Sequence, residues 1–89
     1  FSNEKDLILG QSFPNPARES VTINYDIKNM KKATLIFYDQ SGKIVAKNVL
    51  NPTNNSIIIP VSEFKPGIYI YGISINQSNI KYQRTLVIE

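Results

Sequence analysis

The side chains with which this chain could do acid–base or metal chemistry are few. They comprise seven carboxylates, Glu4, Asp6, Glu19, Asp26, Asp39, Glu63 and Glu89, together with ten lysines and arginines and five tyrosines. There is no His and no Cys. His is the usual general base, proton shuttle and metal ligand near neutral pH, and Cys supplies thiolate nucleophiles, zinc–thiolate sites and disulfides. Catalysis would have to rest on carboxylates, Lys or Tyr, and the carboxylates do not follow a metal-loop spacing such as Asp-x-Asp-x-Asp-Gly. The residue inventory therefore reads as a non-enzyme without metal or other cofactor.

The basic residues lead to the same kind of exclusion. A net charge of +3 and a pI near 9.3 arise from Lys5, Arg18, Lys28, Lys31, Lys32, Lys43, Lys47, Lys65, Lys81 and Arg84. Nucleic-acid binders gather such charge into a stripe with exposed aromatics, whereas only Lys28–Lys32 is locally dense here. That cluster reads as a solvated turn between strands, with no nucleic acid implied. No apolar run approaches the roughly 20 residues of a membrane-spanning helix. Asn54-Asn-Ser56 and Asn76-Gln-Ser78 fit the glycosylation acceptor spacing, a short and common pattern read as coincidence. Phe1 stands where Met would open a complete chain, so the sequence reads as a piece of a longer protein with any export signal upstream.

With binding left as the chemistry on offer, the elements that position a surface come next. Eighty-nine residues make one domain, and a chain this short buries only roughly 60–65% of its unfolded surface. Residues Phe1–Asp6 are polar and read as linker, with the domain over 7–89. A short strand over Leu7–Gly10 leads into Phe13-Pro-Asn-Pro-Ala17, where each Pro fixes φ and extends the residue before it. Val21, Ile23, Tyr25 and Ile27 alternate with Thr22, Asn24 and Asp26, a half-buried antiparallel strand.

Ala33–Asp39 is apolar on both faces, which predicts a central strand covered on both sides or by an edge loop. Asp39-Gln-Ser-Gly42 has the residues of a type I turn and predicts a hairpin to Lys43–Leu50. Ser56–Pro60 reads as a short strand at an edge or ending at its Pro, which cannot donate to a ladder. Lys65-Pro-Gly67 makes a tight turn with Phe64 beneath it, and Gly42 and Gly67 are read as backbone requirements of their turns. Tyr69, Tyr71, Ile73 and Ile75 share a face in the strand Gly67–Ile75, which marks both tyrosines as core. Asn76–Asn79 turns into a last strand over Ile80–Ile88. Six or seven strands about ten residues apart predict an all-β, Ig-like or fibronectin-like antiparallel β-sandwich.

Three ordered marks stand out: Pro14-Asn15-Pro16 followed by Thr22–Ile27; Leu35-Ile-Phe-Tyr38-Asp39-Gln-Ser-Gly42-Lys-Ile-Val45; and Gly67-Ile-Tyr69-Ile-Tyr71 with the closing Thr85-Leu-Val-Ile88. In this order, over nearly the whole chain, they resemble the C-terminal sorting domain, type A, of the type IX (Por) secretion system of Bacteroidota. Many members of that family end in Lys or Arg, where this chain has Glu89. The resemblance implies a non-catalytic signal that directs an exported protein through the periplasm and across the outer membrane to the cell surface or beyond. Its implied partners are the outer-membrane secretion machinery and a sortase-like peptidase cutting in or before Phe1–Asp6.

A terminal strand can offer its edge to another chain. Lys81, Tyr82, Arg84, Thr85, Leu86, Val87, Ile88 and Glu89 are accordingly expected to form the recognised surface, with Lys81 and Arg84 guarding it against self-association. Pro14, Asn15 and Pro16 are expected to shape the lead-in geometry, with recognition of the turn as well as its shaping the open alternative. The alternatives are an Ig-like carbohydrate-binding or spacer module of a secreted hydrolase, which would expose Tyr38, Tyr69 or Tyr82, a retained surface-docking domain, and a weak dimer through edge strands.

Overall fold

The computed structural model describes residues 8–27, 33–75 and 80–89. The expected linker, Leu7, the Lys28–Lys32 turn and the Asn76–Asn79 turn lie outside the described residues. Seven strands form two antiparallel sheets: β1 Ile8–Phe13, β2 Ser20–Asp26, β3 Ala33–Tyr38, β4 Ile44–Val49, β5 Ser56–Pro60, β6 Gly67–Ile75 and β7 Ile80–Ile88. The orders are β1-β2-β5 and β4-β3-β6-β7, the three-against-four layering of the expected sandwich.

Period-two alternation builds the core. In β2 the odd positions Val21, Ile23 and Tyr25 are buried, and Ile27 just beyond the strand follows them. In β6 the same holds for Tyr69, Tyr71 and Ile73. They meet Leu35 and Phe37 of β3, Ile59 of β5, and Leu86 and Ile88 of β7 in one cluster. Phe37 links the aromatic rings, with Tyr71 at 5.5 Å and Phe64 at 6.0 Å, and Phe64 in turn lies 5.2 Å from Tyr69. Phe64 is half-buried and packed against the core through these two rings.

Two features differ from the sequence reading. The first strand does not stop at Gly10 but runs to Phe13, because an irregularity between Leu9 and Ser12 lets it re-register against β2 before the prolines end it. β3 is internal to its sheet, flanked by β4 and β6, but no further layer covers its outer face among the described residues. Ile36 there is 8% exposed and lies in register between Lys47 and Gly72.

The turns are held locally. Gly42 N–H donates to Asp39 O at 3.0 Å, and Asp39 Oδ1 accepts from Ser41 N–H, Ser41 Oγ–H and Lys43 N–H. Those donors, Ser41 hydroxyl first, hold the Asp39 carboxyl below its ordinary range. Gly42 has φ +89° and Gly67 φ +153°, regions that L side chains rarely adopt.

Candidate docking seam at the Pro-Asn-Pro turn

β7 is an edge strand, and pairing alternates along it, so that Thr85, Val87 and Glu89 direct their backbone groups away from β6. Those groups are not left to solvent. Asn15 Nδ2–H donates to Thr85 O at 3.2 Å and Val87 N–H donates to Asn15 Oδ1 at 3.0 Å. A carboxamide carries the donor and acceptor of a peptide group, so the Asn15 side chain serves as one rung of a strand ladder. Ala17 supplies the next rung with its main chain, accepting from Glu89 N–H at 2.9 Å and donating to Val87 O at 2.8 Å. The result is a parallel bridge between Ala17 and Ile88, with Ala17 fully buried.

The flanking prolines suit this arrangement because neither has an N–H to leave unpaired and each fixes φ. Both X–Pro bonds, Phe13–Pro14 and Asn15–Pro16, are cis. A shallow depression between the turn and the chain end is lined by Pro14, Pro16, Arg18, Glu19, Ser20 and Glu89. Arg18 Nε approaches Glu89 Oε1 at 3.4 Å across it, both side chains well exposed.

Further along β7, Arg84 Nε–H donates to Leu9 O at 3.0 Å, and beside it Tyr71 Oη–H donates to Gly10 O at 2.9 Å. These two bonds tie the β7 side of one sheet to β1 of the other. Burial raises the Tyr71 phenol above its ordinary range, against opposing contributions from Ser12 and the Arg84 charge.

The sequence-derived surface is therefore sorted by the structure. Tyr82, Thr85 and Glu89 are exposed, Val87 is half-buried, and Lys81 is placed by its backbone opposite Ile73. Leu86 and Ile88 are core residues, at 0% and 3% exposure, and present no side chain outward. The expectation of an open C-terminal edge is corrected from Thr85 onward, where Asn15 and Ala17 cover it. Arg84 is half-buried, and its Nε–H is turned to Leu9 O of the other sheet and not along the edge. Asn15, remote in sequence, bonds the last strand through its side chain, and Ala17 bridges to it through its backbone.

The other motif residues gather nearby. Gly67 pairs with Ile88, and a depression joins Asp39 and Ser41 of the hairpin to Lys65, Gly67 and Tyr69. Tyr38 is half-buried in register with Ile70, while Tyr69 and Tyr71 are core as expected, Tyr69 Oη–H donating to Lys65 O. The sequence reading missed Ala17, whose bridge partner lies at the far end of the chain and leaves no local pattern. No group of three carboxylates that could hold a metal ion occurs among the described residues.

Residues 11–89 match the family model described as the secretion system C-terminal sorting domain. No curated protein and no solved structure matches the chain. With the three motifs meeting in one fold, and the match spanning nearly all of it, the chain belongs to the secretion system C-terminal sorting domain family, the sorting tail of type IX secretion.

Proposed function

We infer that the outer-membrane secretion machinery reads this domain as a folded object, through the seam that joins Pro14–Ala17 to Thr85–Glu89. The family makes the chain a C-terminal signal for export to the cell surface or extracellular space. The observation that carries the finer reading is the Asn15 rung. It makes the first and last motifs of the sequence one continuous surface that exists only when the sandwich is closed. The outward residues Tyr82, Thr85, Val87 and Glu89, with Lys81, Pro14, Pro16 and Arg18 of the same segments, form the contact. Arg84, Leu86 and Ile88 hold it in shape. Of the rings that a sugar-binding module would expose, Tyr82 is exposed and Tyr38 half-buried, while Tyr69 is buried and hydrogen-bonded to Lys65.

The test is a periplasmic reporter carrying the domain in a cell with type IX secretion. Removing Leu86–Glu89, or replacing outward Thr85 with Lys, is expected to hold the reporter in the periplasm. Unimpaired surface delivery of both variants overturns the reading. We further propose removal of the domain by a sortase-like peptidase at or before residues 1–6. The parent protein at the surface would then lack about this domain's 10.1 kDa, and its full mass there would mean permanent docking.

A further inference from the structure

The end of β7 is held by one short stretch of chain, Leu9–Ala17. Ala17 bonds Val87 and Glu89 through its main chain, and Asn15 bonds Thr85 and Val87 through its side chain. Leu9 O and Gly10 O accept from Arg84 and from Tyr71, which is the register partner of Arg84 on β6. Asn15 and Ala17 fall inside the stretch 11–89 that matches the family, whereas Ile8–Gly10 precede it.

β1 is shaped to make those contacts. It covers Leu9 to Ser12, three residue steps, where β2 covers Tyr25 to Ile23, two steps. A bulge of this kind takes backbone groups off the ladder and re-aims the strand. Both carbonyls used by the facing sheet, Leu9 O and Gly10 O, lie at it. The Leu9 side chain, 3% exposed in the core cluster, pins the bulge in place. Gly10 permits the close approach of β1 to β2, since a Cβ there would stand 3.0 Å from Asn24 O. Arg84 immediately precedes Thr85, whose carbonyl Asn15 takes, so whatever fixes Arg84 fixes where the seam begins. Its bond to Leu9 O comes from a charged donor and is stronger than a neutral pair.

We propose that Leu9 and Gly10 are positioning residues of the seam. β1 clamps Arg84 and so holds Thr85–Glu89 within reach of Asn15 and Ala17, which makes Ile8–Gly10 part of the signal although they precede the matched stretch. The inference rests on the reading of the seam as the recognised surface. It also bears on processing: a peptidase acting before Ile8 leaves the clamp on the domain, and one acting within β1 takes it away with the cargo.

The test compares Leu9→Ala with Ile59→Ala in the 89-residue chain. Ile59 is also 3% exposed but lies on β5, at the other edge of its sheet from β1. Both substitutions hollow the core and should lower the urea midpoint. At matched distance below each midpoint, the amides of Val87 and Glu89 are expected to exchange about tenfold faster in Leu9→Ala, the share of one hydrogen bond from a charged donor. Arg84→Met removes the same bond from its other end and should reproduce that acceleration, and it decides alone should Leu9→Ala fail to fold. In the double variant the two accelerations should not multiply, because both act on one bond. Equal exchange in Leu9→Ala and Ile59→Ala, exchange as in the parent for Arg84→Met, or accelerations that multiply would each overturn the clamp. Surface delivery of a reporter carrying Leu9→Ala should fall below that of Ile59→Ala. Faster exchange at Val87 and Glu89 with undiminished delivery would uphold the clamp and overturn the seam as the recognised surface.

Discussion

Asn15 holds the outward backbone of Thr85 and Val87 through both ends of its carboxamide, at 3.2 and 3.0 Å, although 70 and 72 residues separate the partners. Asn15→Ala removes both bonds and leaves the edge of β7 unpaired there, at a cost of about 1–2 kcal/mol. Asn15→Asp keeps an acceptor for Val87 N–H but sets a carboxylate oxygen against the Thr85 carbonyl. Urea unfolding should therefore rank the parent above Asp and Asp above Ala.

Tyr71 makes the corresponding link across the other part of that side, donating to Gly10 O at 2.9 Å. Tyr71→Phe leaves a part-buried carbonyl without its donor and should cost about 1–2 kcal/mol. The pH dependence has a definite sign. The folded phenol is raised above 10.0, so its contribution is complete below that value and is lost as pH climbs through the folded value. Stability measured from pH 9 upward should fall less steeply in Tyr71→Phe than in the parent.

Much of the fold was legible because burial follows a two-residue period that the sequence prints directly. Val21, Ile23 and Tyr25, and Tyr69, Tyr71 and Ile73, needed no tertiary information to be read as core. The turn at Asp39–Gly42 was equally open, since its hydrogen bonds are made within four residues. The seam was not legible for the opposite reason. Nothing local in Pro14-Asn15-Pro16 or Thr85-Leu86-Val87 states that the two segments touch, and a terminal strand looks open until its neighbour is known. Arg84 misled in the same way, because a charge on an edge strand reads as solvent-facing when its acceptor, Leu9 O, is 75 residues distant.

Tyr82 sits at φ 59° beside the irregularity in the β6–β7 ladder, and the residue is 38% exposed. A left-handed backbone costs an L residue roughly 1–2 kcal/mol relative to a right-handed one, while Gly adopts it at no steric penalty. Tyr82→Gly is therefore expected to unfold at the parent's urea midpoint or above it. Reporter delivery to the surface should fall nonetheless, since the ring is one of the outward groups of the proposed contact. A lower midpoint would mean that Tyr82 is held by packing instead.

The final prediction separates being folded from being read. Leu86 is fully buried, and Leu86→Ala should cost about 2–5 kcal/mol, a large part of the ~4–13 kcal/mol typical for a chain of this size. Loss of secretion after truncating or hollowing the end of β7 would follow from unfolding alone. Arg18 and Glu89 give the cleaner experiment: their side chains are 79% and 51% exposed, and a pair so placed contributes at most about 1 kcal/mol. Arg18→Glu should leave the urea midpoint close to the parent's while lowering surface delivery of the reporter. If Leu86→Ala blocks delivery and both Arg18→Glu and Thr85→Lys pass normally, the machinery responds to the closed sandwich and not to the outward residues of the seam.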